Sequence, residues 1–249
     1  MNLWEFLYFV IKLDKTLSIM TKADYWVHIS EKAQLLLQES HSLNWRQIFG
    51  EYKRKSSVIE YGRIVPPITV SYMDKKEMQK KAYVVNYSIF PFYWSNLLLA
   101  SIGNKICFLG FLDDLSESEG LFELKKSFPT ATLIECKCDI QQSLVDAMCT
   151  LKPTSVAVPL LLIGTPFQLK VWKEMANLKE GVYLSYSELA QKIGHDKAFR
   201  AVGSAVGKNP IALLIPCHQI LQERGGIGGY RWGIMSKLTL LLGQIGIYE

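Results

Sequence analysis

The sequence predicts a mixed α/β protein, in which a compact α/β block is followed by a mainly helical block containing a helix-turn-helix. Two observations lead to this prediction. Residues 82–111 contain three short β-rich runs, whereas residues 165–207 carry two helix-capping boxes and apolar residues at helical spacing. The chain has 249 residues, 49% of them hydrophobic, which is enough to bury the core of one large domain or two ordinary ones.

Composition excludes several classes of protein. A mean hydropathy of +0.10 with 20% charged residues argues against disorder. Five cysteines, an odd number, do not suit a disulfide framework, so we expect a cytoplasmic protein. The net charge of +5 is uneven, because residues 41–81 carry +5 and residues 165–249 carry +4, whereas residues 82–164 carry −3. The basic carboxyl-terminal segment suggests a polyanionic partner, although ordinary solvated surface explains it equally well.

We expect residues 1–81 to form an amino-terminal extension. The apolar run 3–11 has no basic residue before it and is too short to span a membrane, so it is neither a signal peptide nor a membrane anchor. It is interpreted as a docking helix or strand, or as upstream sequence translated in error, with Met20 as the start. A helix is predicted from Ser30 to Ser40, and the second half of the extension, with Pro66-Pro67, is predicted to be a linker.

Short alternating elements define the next block. Gly103-Asn104 predicts a tight hairpin turn between two of its strands. No catalytic residue is evident here, and Cys136 and Cys138 have too few partners to suggest zinc. The predicted elements are strands at Ala82–Ile89, Leu97–Ile102, Ile106–Phe111 and Ala131–Ile134, and helices at Ser118–Phe128 and Asp139–Thr150.

From residue 165 onward, helix boundaries carry local signals. Thr165 and Gln168 form a capping box around Pro166, and Ser185 and Glu188 form a second one. The first helix is predicted to bury Phe167, Val171, Met175 and Leu178. The second is predicted to end at Gly194, and a third, capped by Asp196, to run from Lys197 to about Gly207 before Asn209-Pro210. The last two helices predict a helix-turn-helix, with a simple αα-hairpin in an all-α core as the alternative.

The third helix has an unusually smooth surface. Gly203, Ser204, Ala205 and Gly207 leave one side nearly free of bulky side chains, and Arg200 projects from it. Glycine within a helix is unfavourable, which indicates that something approaches closely. A nucleic-acid groove and tight helix packing both satisfy this pattern.

Cys217 and His218 directly follow an apolar run that ends at Pro216. A thiol becomes nucleophilic when a neighbouring imidazole lowers its pKa. Adjacent residues do not face each other on a strand, however, so a buried and inert cysteine is the alternative.

A wider set of motifs resembles the O6-alkylguanine-DNA alkyltransferase family, whose active-site motif is usually Pro-Cys-His-Arg. The similarity runs over residues 163–246, and residues 229–233 look most like the carboxyl-terminal half of bacterial Ada proteins. The matching segments are Gly164–Gln168, Val171-Trp172, Ser185-Tyr186, Arg200–Gly203, Asn209-Pro210, Pro216–His218 and Gly229–Gly233. The resemblance implies a ribonuclease-H-like domain at 82–160 and a winged-helix-like, DNA-binding alkyltransferase domain at 163–249, with 1–81 as a degenerate regulatory remnant.

The resemblance also implies a function. The protein is expected to bind double-stranded DNA as a monomer and flip out O6-alkylguanine. It would then transfer the alkyl group irreversibly to its own cysteine, without cofactor, metal or membrane, and O4-alkylthymine is expected as a further substrate. The implied catalytic residues are Cys217 as acceptor, His218 and Gln244 as its relay, Asn209 in the turn before it, and Tyr230 as donor to guanine N3. The implied DNA contacts are Tyr186 at the phosphate, Arg200 in the vacated stack, and Ala201, Gly203 and Ser204.

Two departures from the family pattern keep other functions open. Gln244 stands where the family has a Glu, so we expect it to hold the bridging water and orient His218 but to give a smaller thiolate fraction and slower transfer. Gln219 replaces an Arg, which is expected to weaken domain docking. Residues 1–106 contain no Cys, so the zinc–cysteine module of Ada is absent. The alternatives are a non-catalytic lesion-binding protein and an unrelated cysteine hydrolase.

Overall fold

The structure is a computed structural model that describes residues 21–39, 45, 65–113, 115–150 and 155–245. The predictions about the run 3–11 and Met20 lie outside these residues. The helices are α1 (Lys22–Glu39), α2 (Lys75–Met78), α3 (Glu117–Ser127), α4 (Asp139–Cys149), α5 (Pro166–Ala176), α6 (Tyr186–Lys192), α7 (Phe199–Gly207) and α8 (Ile234–Ile245). The strands are β1 (Ile68–Asp74), β2 (Val84–Phe92), β3 (Ser95–Ile102), β4 (Lys105–Phe111), β5 (Thr132–Glu135), β6 (Val158–Gly164), β7 (Leu184–Ser185) and β8 (Ile220–Leu221).

A six-stranded mixed sheet organises the first half of the chain, in the order β1-β6-β4-β3-β2-β5. The β2-β3-β4 meander is antiparallel, and β5, β6 and β1 join it through parallel pairs. Gly103 makes the β3–β4 turn with a φ of +54°, a left-handed conformation that glycine adopts at little cost. The mixed α/β class and this hairpin are thus confirmed.

The linker prediction is wrong for residues 68–78. Strand β1 pairs in parallel with β6 from Ile68 opposite Val158 to Asp74 opposite Gly164, and helix α2 follows it. The pairing partner lies 90 residues further along the chain, so no local pattern announces this edge strand. The sheet therefore includes part of the predicted extension.

Helix α1 starts eight residues before the predicted Ser30. The Thr21 hydroxyl accepts a hydrogen bond from the Asp24 amide at 3.2 Å, and the Asp24 carboxylate accepts one from the Thr21 amide at 3.0 Å. This reciprocal cap fixes the beginning of the helix at Lys22. The helix packs against α8, so both ends of the described chain meet.

The helical block follows the predicted boundaries closely. The side chains of Thr165 and Ser185 cap α5 and α6 in complete capping boxes. Asp196 is not the cap of α7, however: the helix begins at Phe199 after Ala198, which makes no side-chain capping bond. Leu178 lies beyond the end of α5. The indole Nε1 of Trp172 donates to the Ala205 carbonyl at 2.8 Å and fixes α7 against α5.

No helix among the described residues is both long and apolar enough to cross a membrane.

Candidate active site

Cys217 lies at the start of a 3-10 turn, Cys217–Gln219, directly after the buried apolar segment 211–215. The chain reverses within that segment, where Leu213 takes a φ of +63°. Only 6% of the Cys217 surface is exposed, but its thiol borders a cleft of about 930 Å³. The cleft is also lined by Tyr186, Gly203, Gly207, Asn209, Tyr230 and Arg231. The cysteine is therefore buried yet accessible from one side.

Asn209 holds the turn that carries the thiol. Its buried amide Nδ2 lies 3.1 Å from the Cys217 Sγ and donates to the carbonyls of Ile211 at 3.1 Å and Ile215 at 2.8 Å. Its Oδ1 accepts from the Ile211 amide at 3.1 Å. One side chain thus ties the end of α7 to the nucleophile.

The surroundings of Cys217 act in opposite directions on its acidity. Burial raises the pKa of the thiol above its ordinary value, and this is the largest effect. Hydrogen bonds from Asn209 and Tyr230 and the positive charge of Lys237 oppose it by favouring the thiolate. The Tyr230 hydroxyl lies 3.9 Å from Sγ, and burial raises the pKa of this phenol, so it remains a proton donor.

Lys237 is a site residue that the sequence analysis missed. The residue lies in α8 and is 1% exposed, and its ammonium Nζ donates to the carbonyls of Ile220 at 2.8 Å and Ile227 at 2.7 Å. Burial lowers its pKa to about 8, whereas the Cys217 thiolate raises it. One feature of the sequence could have identified this residue: it is a single lysine within the apolar segment Ile234–Ile245, and lysine is rarely buried unless it has partners.

His218 contacts Gln244 directly. The prediction that a water molecule bridges the two side chains is therefore wrong. The Nε2 atoms of the two side chains are 2.9 Å apart, which leaves no space for a bridging water. Among the described residues, His218 Nδ1 and Gln244 Oε1 are buried without a hydrogen-bond partner. Burial, and to a lesser extent the charge of Lys237, lower the pKa of His218 to about 3, and the contact with Gln244 partly opposes them. His218 is therefore a neutral imidazole at physiological pH.

The neutral His218 predicts acid sensitivity of the fold. The unfolded imidazole binds a proton near pH 6.5 and the folded one only near pH 3, so the unfolded state holds more protons between these values. The free energy of unfolding is expected to fall as the pH falls through this window, by up to about 1.4 kcal/mol per pH unit. Urea unfolding at several pH values measures it. The slope should diminish in His218→Gln but not in His195→Gln, where the histidine is exposed; equal slopes in all three proteins would refute the assignment.

The smooth side of α7 is open to solvent rather than packed. Arg200, Ala201 and Ser204 are exposed, and a Cβ placed on Gly207 would meet nothing within 4 Å. Gly203 faces the ring of Tyr186, whose carbons lie 3.6 and 3.7 Å from such a Cβ. Tight helix packing thus does not explain these residues; Ala205, which is buried, is the exception.

An ion pair joins the segment before α8 to helix α3. Arg231 Nη2 lies 2.6 Å from Glu123 Oε2 of α3, and its guanidinium lies 4.7 Å from the Trp232 ring. The pair lowers the pKa of Glu123 against the opposing effect of burial. Both residues line the cleft. No sequence pattern indicates Glu123 as a partner of Arg231, since the two residues are 108 positions apart.

Gln219, in the position of the family's usual Arg, is 1% exposed. Its amide Nε2 donates to the carbonyls of Lys179 at 2.8 Å and Val182 at 2.6 Å. It therefore ties the cysteine turn to the loop that precedes α6. Among the described residues, no group of three or more His, Cys, Asp and Glu side chains could hold a metal ion.

Comparison with known proteins gives consistent matches. Residues 166–243 match the family model of the 6-O-methylguanine DNA methyltransferase DNA-binding domain. The methylated-DNA–protein-cysteine methyltransferase of Kluyveromyces lactis is 38% identical over 149 residues, covering 56% of this chain and 76% of the relative. An inducible enzyme of that name from Bacillus subtilis is 35% identical, with 60% and 88% covered.

Two further matches extend the comparison. The bifunctional transcriptional activator/DNA repair enzyme Ada of Escherichia coli is 34% identical, but the match covers 63% of this chain and only 44% of Ada. The crystal structure of the Mycobacterium tuberculosis O6-methylguanine methyltransferase superposes with a TM-score of 0.52 at 32% identity, covering 64% of this chain and 92% of that one.

Proposed function

Because this chain belongs to the methylated-DNA–protein-cysteine methyltransferase family, we propose that it repairs DNA by transferring the alkyl group of O6-alkylguanine irreversibly to Cys217. The observation that carries this proposal is the position of the thiol. Cys217 opens into a cleft whose rim is the smooth, exposed side of α7. O4-alkylthymine is the second substrate that we propose.

The DNA would lie along α6 and α7. The small residues Ala201, Gly203 and Ser204 allow close approach to a minor groove, and the exposed Arg200 can enter the stack that the flipped base leaves. Tyr186, on the cleft wall, is positioned to touch the adjacent phosphate. We assign residues 163–249 to a winged-helix-like DNA-binding domain and residues 82–160, extended by β1, to a ribonuclease-H-like domain. The protein would act as a monomer in a reducing compartment, the cytoplasm.

The chemistry is a single displacement at the alkyl carbon. The Cys217 sulfur attacks the methyl carbon, a C–S bond forms, and the bond between that carbon and guanine O6 breaks with its electron pair moving onto the purine. The thiol proton is lost as the thiolate forms, and one proton is taken up by the departing guanine. Tyr230, still protonated, donates to guanine N3 and stabilises the purine as it leaves.

The positive charge that favours the thiolate comes from Lys237 in this proposal. His218 stays neutral, since its pKa is about 3, so it cannot serve as an imidazolium counter-ion. Lys237 is charged below its pKa of about 8 and acts electrostatically on Cys217. Asn209 adds an N–H donor directly at the sulfur, 3.1 Å away.

Methyl transfer is tested with a duplex that carries O6-[³H-methyl]guanine. Label that moves to the protein with single-turnover kinetics is the expected result, and Cys217→Ala should abolish it while still binding the duplex. Binding of the lesion by the wild type with the label retained in DNA would contradict the proposal and identify a lesion-binding protein instead.

Gln244→Glu is expected to accelerate methyl transfer by about tenfold at neutral pH. In this variant a carboxylate faces the His218 Nε2, so a proton leaving the Cys217 thiol can be held between the imidazole and the carboxylate. A thiol pKa lowered by one unit gives a tenfold larger thiolate fraction. Single-turnover rates at saturating protein measure the effect, and Gln244→Leu, which removes the contact, is the matched control. An unchanged or slower rate in Gln244→Glu would show that this contact does not govern the thiol.

A further inference from the structure

The first turn of α1 is anchored to the carboxyl-terminal ends of two other helices. The buried Lys22 ammonium donates to the carbonyls of Met148 and Thr150 at 2.8 Å each, at the end of α4. The Tyr25 hydroxyl donates to the Gly243 carbonyl at 3.1 Å, in the last turn of α8. The last carbonyls of a helix have no partner within it, so these donors supply hydrogen bonds that the helix itself does not, and the Met148 carbonyl also accepts from the Tyr93 hydroxyl.

Trp26 packs against the same turn of α8. Its fully buried indole lies against the backbone of Gly243, so closely that a Cβ at that position would collide with the ring. From its other side the indole packs on Trp94, with 5.0 Å between ring centroids, and on Tyr93 at 6.3 Å. The Trp26 side chain of α1 is therefore held between the end of α8 and the β2–β3 turn.

Gln244, the neighbour of Gly243, is the residue that contacts His218 at 2.9 Å. It lies in the last turn of α8, a region that frays in an isolated helix. The position of the Gln244 amide against the buried imidazole therefore depends on the contacts that stabilise the last turn of α8. Tyr25 and Trp26 make such contacts from α1.

We propose that α1 is a positioning element of the active site and that Tyr25 is a positioning residue, acting through Gly243 and Gln244 on His218. This inference rests on the proposed function. It assigns a catalytic purpose to a segment that the sequence analysis interpreted as a degenerate remnant.

The test is a double-mutant cycle of Tyr25→Phe with Gln244→Leu, followed by single-turnover methyl transfer and by lesion-duplex affinity. Tyr25→Phe is expected to lower the transfer rate about fivefold, the equivalent of one lost hydrogen bond, with unchanged duplex affinity. In the Gln244→Leu background the same change should have no further effect. Tyr93→Phe is the matched control, because its hydroxyl donates to the Met148 carbonyl at 3.4 Å on α4, away from Gln244; its rate should equal that of the wild type.

Three outcomes would overturn the proposal: an unchanged rate in Tyr25→Phe, the same loss in both backgrounds, or an equal loss in Tyr93→Phe. A second readout separates failure of this proposal from failure of the proposed function. Iodoacetamide alkylation of Cys217, followed by peptide mass spectrometry across pH, needs no DNA. The pH profile of this alkylation should shift in Tyr25→Phe and stay unchanged in Tyr93→Phe, even if the wild type transfers no methyl group. An unshifted profile in Tyr25→Phe would contradict the positioning role.

Discussion

Lys237→Met is expected to lower the methyl-transfer rate by up to about tenfold at neutral pH, the effect of raising the pKa of the acceptor thiol by about one unit. Methionine fills much of the lysine stem but carries no charge. The variant removes the positive charge that opposes the burial effect on Cys217, and leaves the Ile220 and Ile227 carbonyls without their donor. Stability should change little in comparison, since the substitution also removes a desolvated charge.

The pH dependence separates this electrostatic role from simple misfolding. In the wild type, alkylation of Cys217 by iodoacetamide should rise with pH as the thiolate forms, with a shallower rise above about pH 8 as Lys237 becomes neutral. In Lys237→Met the whole profile should move to higher pH. Lys125→Met is the matched control, because its ammonium also donates to a backbone carbonyl, that of Ala131 at 3.0 Å, but on α3. An unshifted profile in Lys237→Met would exclude Lys237 as the counter-charge.

Asn209→Ala is expected to reduce both stability and transfer. Three hydrogen bonds between the Asn209 side chain and the backbone are lost together with the contact to Cys217 Sγ. The buried Ile211 amide loses its acceptor, whereas the Ile211 and Ile215 carbonyls keep backbone donors. Leaving a buried group unsatisfied costs about 1–3 kcal/mol, so we expect a loss of that size in the free energy of unfolding. The transfer rate should fall at least about tenfold as the thiol loses a charge-stabilising donor.

Urea unfolding and single-turnover kinetics measure these two effects separately. The exposed Asn96→Ala is the control, with an expected change within about 0.5 kcal/mol and no change in rate. A destabilised Asn209→Ala that transfers methyl groups at the wild-type rate would show that the amide supports the fold alone.

Local signals explain how much of the fold could be predicted. The capping boxes at Thr165 and Ser185 and the glycine turn at Gly103 act through neighbours a few residues away, and those boundaries are correct. Strand β1 was missed because its sheet partner among the described residues, β6, lies far along the chain. The start of α1 carried a readable signal, the Thr21–Asp24 cap, that the apolar spacing after Ser30 obscured.

The residues of the candidate site likewise fall into those that sequence motifs predict and those that only tertiary contacts reveal. Cys217, Asn209 and Tyr230 were inferred through motifs, and the structure brings them together around one sulfur. Lys237 and Glu123 act through long-range contacts that no spacing encodes. The direct contact of Gln244 with His218 depends on the exact position of the end of α8, which is set by tertiary packing against Trp26.

In the proposed reaction, Cys217 itself becomes the alkyl carrier. The most direct measurement is an intact mass of the protein after incubation with an O6-methylguanine duplex, followed by peptide mapping, with an unmodified duplex as control. We expect a mass gain of one methyl replacing hydrogen, at a ratio of one per chain, on the peptide that contains Cys217. No mass gain on a bound lesion duplex, or a methyl group on Cys136 or Cys138 instead, would contradict it.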